Sequence, residues 1–395
     1  MIYATYFAGA VVPAEGAEIF GRRWSGETLW NIAGAVSMGI VCLWAPFLGA
    51  VTDYTAAKKR FLAGFWIAGC LATAGLAFVR PGMVFAGMAL FAVANVGFAG
   101  GNALYNAFLP ELAPPDRMAR VSSLGWGLGY VGGGLCLLVN LVMLRRGGGS
   151  AIGPGFVVVA GWWFLFALPL FLVVRERATS KSIPPGRSAL GMGFSDVFAT
   201  VRHIRKHREL FKFLLAYLLF NEGVETVIFN ASVYGRRVVG MSQDELILLY
   251  LAIQVVALLG ALLFGRLAER WSGKRAIALS LWVWLSVLGF AFFATTRLAF
   301  WILGILVAIV MGGTQALSRA FFGQLTPREK TAEFFGFFAI GGKFAAALGP
   351  LLFGSVTHLT GTMRWGILSV AVFFIGGMAL LAAVDPERGL AEARS

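Results

Sequence analysis

The sequence has little charge. Only 13% of its 395 residues are Asp, Glu, Lys or Arg, and 58% are hydrophobic, whereas about a quarter of the residues of a typical soluble domain are charged. A water-soluble globular fold is therefore excluded. Because apolar runs of about 20 residues are long enough to cross a bilayer as helices and recur along the chain, the composition predicts an all-α membrane protein whose surroundings are the lipid bilayer.

Cysteine and histidine are also scarce, with three of each. The cysteines, Cys42, Cys70 and Cys136, all fall inside apolar runs, where thiols behave as small apolar side chains. Neither residue type shows the spacing of a metal site, and we find no phosphate-binding loop and no nucleophile–base arrangement. The sequence predicts no metal, no cofactor, no direct use of ATP and no enzymatic activity.

Acidic residues are fewer than basic ones, which gives a formal net charge of +14. In a soluble protein such an excess suggests nucleic acid, but here most of the basic residues lie in short loops between apolar runs, so no nucleic-acid partner is expected. If the central loop faces the cytoplasm, 22 of the 33 Lys and Arg residues lie on that side and 9 on the other. The positive-inside rule then places both termini and the central loop in the cytoplasm. We expect a monomer in the inner membrane of a bacterium.

The apolar runs predict twelve spans. Residues 1–14 are expected to be the outer part of a first helix whose inner end is absent. A polar linker, residues 175–210, separates an N-terminal six-helix half (1–174) from a C-terminal six-helix half (211–384), and residues 385–395 form a cytoplasmic tail. The other eleven spans are predicted at residues 28–50, 61–79, 82–108, 119–144, 156–174, 211–234, 246–268, 276–295, 298–322, 333–357 and 363–384.

The linker ends in a basic run, residues 202–208. We expect this part of the linker to form a surface helix that begins with Ser195 as its N-cap and extends to Glu209.

Two stretches of the chain repeat. The pattern that begins at Gly49, with a carboxylate four residues on and a lysine nine residues on, begins again at Gly265. Residues 103–114 return as residues 316–327, with six of the twelve positions identical. Two six-helix halves related by duplication are typical of secondary transporters, which hold their substrate near mid-membrane between the halves.

These features resemble the major facilitator superfamily. More narrowly, five short strings resemble its vacuolar amino-acid effluxer-like branch, also called the unknown major facilitator family, and the similarity covers nearly the whole chain. The resemblance implies the twelve-helix fold of the superfamily and transport by alternating access. The five strings are Tyr105–Glu111, Gly125–Tyr130, Asn221–Thr226, Gln315–Arg319 and Glu333–Gly336.

Both copies of the loop pattern are expected to gate the cytoplasmic side. The resemblance implies that Asp53 latches this side in the outward-open state, and a carboxylate at such a place can cap a neighbouring helix. The alternative is that these charges only set topology. Arg319 is interpreted as a gate residue paired with Glu269 or Glu333. The full predicted gate is Gly49, Asp53, Lys58, Arg60, Gly265, Glu269, Lys274, Arg319 and Glu333.

The seventh predicted span contains two carboxylates, Glu222 and Glu225. A carboxylate at bilayer depth costs about 2.5–3.5 kcal/mol, so it faces the bundle interior or water. Residues three apart share a helix face, and two carboxylates in a cavity of low dielectric do not both ionise easily. The pair predicts proton coupling or contact with a substrate amino group. Alternatively, both are hydrated structural groups near the outer end of the span.

Other polar residues inside spans are weaker candidates. Amides at Asn95, Asn102 and Asn106 recur at helical spacing and either bind a zwitterion or join helices. Lys343 needs a carboxylate or an anionic substrate group, and Asp53 is an alternative counter-ion for it. The full predicted set for substrate and proton coupling is Glu222, Glu225, Asn221, Asn95, Asn102, Tyr105, Asn106, Tyr130, Gln315 and Lys343.

The sequence thus predicts a secondary active transporter that moves a small polar solute, an amino acid or short peptide, with proton coupling. Two other functions stay open on the same scaffold. One is a lipid or amphiphile flippase, and the other is a non-transporting membrane sensor or assembly partner.

Overall fold

A computed structural model describes residues 6–13, 15–19, 21–55, 57–176, 188–202 and 204–394. Within these ranges the chain forms one two-stranded hairpin, with β1 at Ala17–Ile19 and β2 at Arg22–Trp24, and fifteen α-helices. The helices are α1 Gly26–Thr55, α2 Lys58–Gly75, α3 Val84–Asn106, α4 Leu109–Leu112, α5 Met118–Gly147, α6 Ile152–Val173, α7 Ala189–Arg202, α8 Arg208–Arg237, α9 Gln243–Arg270, α10 Gly273–Phe293, α11 Arg297–Leu325, α12 Thr331–Thr360, α13 Met363–Ser369, α14 Ala371–Ala382 and α15 Pro386–Arg394.

Eleven helical segments of the described chain have the length of a membrane span. Nine stretches combine sufficient length with an apolar composition, and one of these, Met118–Val173, contains both α5 and α6. Counting α5 and α6 separately gives ten segments, one of which is formed by α13 and α14 together. Helix α12, with 30 residues, is the eleventh. These eleven segments coincide with the eleven spans predicted from residue 28 onward. The all-α membrane class is confirmed, because long apolar runs carry a strong sequence signal.

The described residues before α1 form a short helical turn and the hairpin. Phe7–Val11 make a single π-helical turn, which is the helical part that the structure describes in the predicted first span. The chain then bends at Gly16 and Gly21, whose φ angles of 88° and 71° suit glycine, and β1 pairs antiparallel with β2. Phe7 belongs to a buried apolar cluster that also contains Leu29 and Phe156.

The linker helix differs from the prediction. Helix α7 begins at Ala189 rather than after Ser195, and Glu209 belongs to the next helix, α8. The reason is a different N-cap, since the Ser188 hydroxyl accepts a hydrogen bond from the backbone N–H of Gly191 at 3.1 Å.

The chain packs as two compact units. The first comprises residues 1–105 and 136–194, and the second comprises residues 106–135 and 195–395. In the first unit α2 and α6 pack through aromatic rings, because Trp66 is stacked on both Phe164 and Phe171 with ring centroids 4.6 Å apart. The predicted division into two six-helix halves at the linker stays a prediction.

In the second unit α9 and α11 are in backbone contact. A Cβ atom at Gly260 would overlap the backbone of Ile309, and one at Gly312 would overlap the carbonyl of Ala257. Small residues at such crossings allow membrane helices to approach closely. This contact holds α11, which carries several candidate residues, against α9.

Candidate functional site

The first copy of the loop pattern is buried. It lies where α1 ends and α2 begins, and the side chains of Asp53 and Lys58 are only 4% and 2% exposed. The Asp53 Oδ1 and Lys58 Nζ atoms are 4.0 Å apart. Because a buried charge is costly unless an opposite charge is near it, the two side chains stabilise each other.

Charged side chains cap the helix ends beside this copy. The Glu176 carboxylate accepts hydrogen bonds from the backbone N–H groups of Lys58 at 2.7 Å and Lys59 at 3.3 Å, at the N-terminus of α2. Lys59 Nζ donates to the carbonyls of Phe171 at 2.8 Å and Val174 at 2.7 Å, at the C-terminus of α6. Both charges complement the helix dipoles. Helices α2 and α6 therefore hold each other at this end.

The second copy is more open. Its carboxylate, Glu269, is exposed near the end of α9. Its lysine, Lys274, donates to the carbonyls of Ala382 at 2.8 Å and Val384 at 2.6 Å, at the C-terminus of α14. A lysine in the first turn of α10 thus caps α14, as Lys59 in the first turn of α2 caps α6.

Glu222 is enclosed between α8 and α12. Its side chain is 3% exposed, and its carboxylate accepts a hydrogen bond from the backbone N–H of Gly349. Thr226, one turn further along α8, donates to the Glu222 carbonyl at 2.7 Å. A Cβ atom at position 349 would overlap Thr226, so only glycine permits this approach. Pro350 follows inside α12, so Glu222 meets α12 beside a residue that donates no helix hydrogen bond.

Glu225 lies in a different environment on the same helix. Its side chain is partly exposed, and its carboxylate lies within electrostatic range of the hydroxyls of Tyr130 and Tyr217. The ring of Tyr217 stacks on Phe338 with centroids 4.1 Å apart. Of the two carboxylates, Glu222 is buried against the backbone of α12 and Glu225 is partly exposed.

Tyr130 joins three helices. Its hydroxyl donates a hydrogen bond to Gln315 Oε1 at 2.9 Å, since an amide oxygen can only accept. Gln254 Nε2 donates to the backbone carbonyl of Tyr130 at 3.4 Å. Helices α5, α9 and α11 therefore meet at this tyrosine.

Arg319 lies one turn from Gln315 on α11 and is 6% exposed. Its Nε and Nη2 atoms donate to the Oγ and carbonyl oxygen of Ser122 at 2.9 and 3.0 Å. Its Nη1 atom donates to Asn106 Oδ1 at 3.1 Å, and the guanidinium carbon lies 5.9 Å from the ring centre of Trp126. The guanidinium is therefore held by neutral polar groups and an aromatic face.

These contacts form a continuous polar strip between α5 and α11, which we call the α5–α11 seam. On α5 it comprises Ser122, Trp126 and Tyr130, and on α11 it comprises Gln315 and Arg319. Residues four apart lie on one helix face, which explains why both sets face the same neighbour.

A charged cluster lies where α12 begins. Lys330 Nζ is 3.6 Å from the buried carboxylate of Glu333 and donates to the Thr200 hydroxyl of α7 at 2.9 Å. His207, just before α8, is 8% exposed. Burial, reinforced by the positive charges of Lys330 and Lys206, lowers the pKa of His207 to about 4. The imidazole is therefore neutral at physiological pH.

The sequence profile described as "Vacuole effluxer Atg22 like" matches residues 14–394, which is nearly the whole chain. The chain belongs to the Atg22-like vacuole effluxer family. The "Uncharacterized MFS-type transporter YxiO" of Bacillus subtilis is 36% identical to this Atg22-like chain over 361 residues, covering 89% of it and 83% of the relative. Autophagy-related protein 22 of Saccharomyces cerevisiae is 26% identical over 406 residues, covering 90% and 75%. The family stands among the transporters of the major facilitator superfamily (MFS), which are not enzymes.

A solved structure gives the fold. The MFS proton:xylose symporter XylE, bound to 6-bromo-6-deoxy-D-glucose, superposes on the Atg22-like chain with a TM-score of 0.73 over 97% of this chain and 90% of that one, at 12% sequence identity. At such identity the likeness concerns the fold alone. It confirms the major facilitator fold that the sequence resemblance implied.

The predicted substrate residues of this Atg22-like protein are distributed over both units. Glu222, Glu225, Tyr130 and Gln315 lie in the second unit as described above. Asn221 is buried beside Glu222. The Nδ2 atom of Asn95 donates to the Ser37 hydroxyl at 2.7 Å, which joins α3 to α1 in the first unit.

The other predicted polar residues of α3 have different surroundings. Asn106 binds Arg319, Asn102 is half-buried and Tyr105 is 39% exposed. Lys343 is in α12, but its side chain lies outside the described residues.

The predicted gate residues have different local surroundings. Asp53 and Lys58 pair with each other, while Arg60 and Glu269 are exposed and Gly49 is buried. A Cβ atom at Gly265 would come within 2.7 Å of the Ser123 hydroxyl, which places α9 directly against α5. The predicted ion pair of Arg319 with Glu269 or Glu333 stays a prediction. Among the described residues, no group of three or more His, Cys, Asp or Glu could hold a metal ion.

Sequence reasoning missed several partners. Ser122 and Trp126 were not predicted as site residues, although they lie eight and four residues before Tyr130 and therefore on the same helix face. Thr226 and Glu176 were missed because a helix-to-helix contact between distant parts of the chain leaves no local pattern.

Proposed function

We propose that this Atg22-like protein is a secondary active transporter that moves a small polar solute, an amino acid or short peptide, by alternating access and with proton coupling. The observation that carries the proposal is the pair Glu222 and Glu225, two carboxylates in the middle of a membrane helix, one buried and one partly exposed. A carboxylate at this depth costs about 2.5–3.5 kcal/mol and is typical of proton relays and ligand sites.

Glu222 is the proposed proton carrier. In its ionised form the carboxylate only accepts hydrogen bonds, as it does from Gly349, whereas the protonated form is also a donor. Proton binding therefore changes the contact with α12 next to Pro350, where the helix lacks one hydrogen bond. This supports a link between proton binding and the movement of α12 against α8.

The α5–α11 seam is the proposed inner gate, together with the two copies of the loop pattern. The support is that Arg319 binds Ser122 and Asn106 across helices that an inward-open state must separate. Opening the gate exchanges these hydrogen bonds for contacts with water or solute.

We place the protein in the inner membrane of a bacterium, as a monomer with the linker and both termini in the cytoplasm. The excess of Lys and Arg on the linker side supports this orientation. The bacterial origin of the relative YxiO supports the membrane.

Transport by the full chain in proteoliposomes tests the proposal. Uptake of labelled amino acids and dipeptides is measured with and without an imposed pH gradient. We expect at least one solute to accumulate only with the gradient. Glu222→Gln should retain exchange of that solute but lose the dependence on the gradient. Glu387→Gln, an exposed carboxylate in the first turn of α15, is the matched control and should behave as wild type.

Two results would contradict the proposal. If uptake by the wild type is the same with and without the pH gradient, transport is not coupled to protons. The absence of uptake for every amino acid and dipeptide removes the substrate assignment.

A further inference from the structure

The terminal helix α15 packs on the ends of two longer helices. A Cβ atom at Gly389 would overlap the side chain of Leu325 and come within 3.2 Å of Glu209 Cβ, so α15 is in close contact with both residues. Leu325 is the last residue of α11, and Glu209 lies in the first turn of α8. Both are 1% exposed. Helix α15 therefore covers the end of α11 and the start of α8.

Two hydrogen bonds fasten α15 and the turn before it to the start of α8. The Glu392 carboxylate of α15 accepts from the backbone N–H of Glu209 at 3.1 Å. The backbone N–H of Asp385 donates to the Glu209 carboxylate at 2.8 Å. The first N–H groups of a helix have no acceptor within that helix, and a carboxylate beside them also complements the helix dipole. Glu392 is therefore an N-terminal cap that α15 supplies to α8.

The turn from which α15 extends is also held by other helices. Lys212 of α8 donates to the carbonyl of Ala383 at 3.0 Å. Lys274 of α10 donates to the carbonyls of Ala382 and Val384. None of these three bonds involves a residue of α15. The end of α14 can therefore stay in place when α15 moves.

Helix α15 itself buries little surface. Of its nine residues, Pro386–Arg394, only Gly389 is buried. A helix of this length is marginally stable by itself in water, and elements with few buried apolar contacts open at a low free energy. The cap formed by Glu392 therefore contributes much of the free energy that holds α15 in place. Its loss should release α15 while the membrane spans stay folded.

The contact of α15 with α11 bears on the α5–α11 seam. Leu325 is on the same helix as Arg319, which bonds to Ser122 of α5. Opening the proposed inner gate requires α11 to move away from α5. We propose that α15 is a releasable clasp, which holds the end of α11 against the start of α8 and so opposes the opening of this gate. Glu392 fastens the clasp and is a positioning residue. This inference rests on the proposed transport function.

Hydrogen exchange of the purified full chain, followed by mass spectrometry, tests whether α15 is such a clasp. Glu392→Ala removes the cap, so the amides of α15 and of the first turn of α8 should exchange at least about fivefold faster, as the loss of one hydrogen bond predicts. Amides in the last turn of α11 should also exchange faster. The amides of α14 should change less than about twofold, because the two lysines hold its end. Glu392→Gln keeps an acceptor oxygen and should recover part of the protection.

Glu387→Ala is the matched control for Glu392→Ala. Glu387 is an exposed carboxylate of the same helix, and its replacement should change exchange less than about twofold. Faster exchange in all the membrane spans of Glu392→Ala would mean that this substitution destabilises the whole chain rather than releasing α15. That result would overturn the inference.

A reversible cross-link tests the connection to transport. Leu325→Cys and Gly389→Cys together place two thiols at the contact between α11 and α15, where oxidation can join them as a disulfide. In proteoliposomes the disulfide should lower gradient-driven uptake at least about threefold, and a reductant should restore it. Glu392→Ala should raise the initial rate of uptake at least about twofold. Leu325→Cys alone, treated with the same oxidant, is the control for the native cysteines.

Several further outcomes overturn the inference. They are unchanged exchange of α15 in Glu392→Ala, an equal effect of Glu387→Ala, and equal uptake by the cross-linked and the reduced chain. The transport proposal fails separately. If no variant takes up any solute but Glu392→Ala frees α15 and the end of α11, the clasp is retained and the transporter function is lost. If uptake follows the pH gradient but neither the cross-link nor Glu392→Ala changes it, transport is retained and the clasp is lost.

Discussion

The two copies of the loop pattern have the same spacing but different surroundings. In the first copy the carboxylate and the lysine are both buried and 4.0 Å apart. In the second copy Glu269 is exposed and Lys274 reaches the end of α14. The feature that the two regions share is a lysine in the first turn of a helix that caps the C-terminus of another helix, whereas the buried ion pair belongs to the first region.

The difference shows that each copy is held by its own neighbours. Beside the first copy, Glu176 follows α6 and caps α2. Beside the second copy, the backbone N–H of Asp385 follows α14 and donates to the Glu209 carboxylate of α8 at 2.8 Å. The second region therefore depends on the start of α8 and on the terminal helix α15, and no equivalent of α15 follows α6 in the described chain.

The largest difference in stability between the two copies is expected when their carboxylates are replaced. Asp53→Ala removes the carboxylate that lies 4.0 Å from the buried ammonium of Lys58, which should cost about 3–5 kcal/mol. Glu269→Ala removes an exposed side chain and should change stability by less than about 0.5 kcal/mol. Denaturant or detergent titration of the purified variants measures both values.

The double variant Asp53→Ala/Lys58→Met provides the control. It removes both charges, so it should be more stable than Asp53→Ala alone. Equal losses for Asp53→Ala and Glu269→Ala would show that the difference in burial has no energetic consequence.

The positions of the helices could be predicted well from the sequence, but the side chains that cap their ends could not. All eleven spans from residue 28 onward were predicted, since a run of apolar residues specifies a membrane helix locally. The cap of α2 could not be predicted, because Glu176 lies 118 residues from Lys58 and no local pattern connects them. The start of α7 was misplaced because Ser188 and Ser195 are both acceptable N-caps.

A second and smaller effect should come from pH at the start of α8. His207 lies two residues before Glu209, and its pKa is lowered from 6.5 to about 4 by burial and by Lys330 and Lys206. The unfolded chain therefore binds a proton that the folded chain does not, between these two pH values. Stability should be highest above about pH 6.5, fall as the pH decreases towards about 4, and lose at most about 3 kcal/mol.

The comparison with His207→Phe isolates this histidine from the carboxylates that titrate in the same range. The difference in unfolding free energy between wild type and variant, followed from neutral to acidic pH, should decrease through the window. A difference that stays constant with pH would show that His207 is not buried in its neutral form.

The candidate site shows the same limits of sequence reasoning. Glu222 and Glu225 were found because a carboxylate inside an apolar run is conspicuous. Their different surroundings could not be predicted, since these depend on Gly349 and Tyr130, which are distant along the chain. Lys343 was equally conspicuous, but nothing in its neighbourhood in the sequence indicates its partner.

The smallest effect tests what the two copies share. Lys59→Met and Lys274→Met each remove an ammonium that donates to two carbonyls at a helix C-terminus. Hydrogen bonds to charged groups and the helix dipole together predict a loss of about 1–2 kcal/mol for each partly exposed lysine. The two losses should agree within about 0.5 kcal/mol in the same unfolding titration, and Lys→Arg at either position should recover part of the loss. If Lys274→Met proves neutral while Lys59→Met is destabilising, the lysine cap stabilises only the first region.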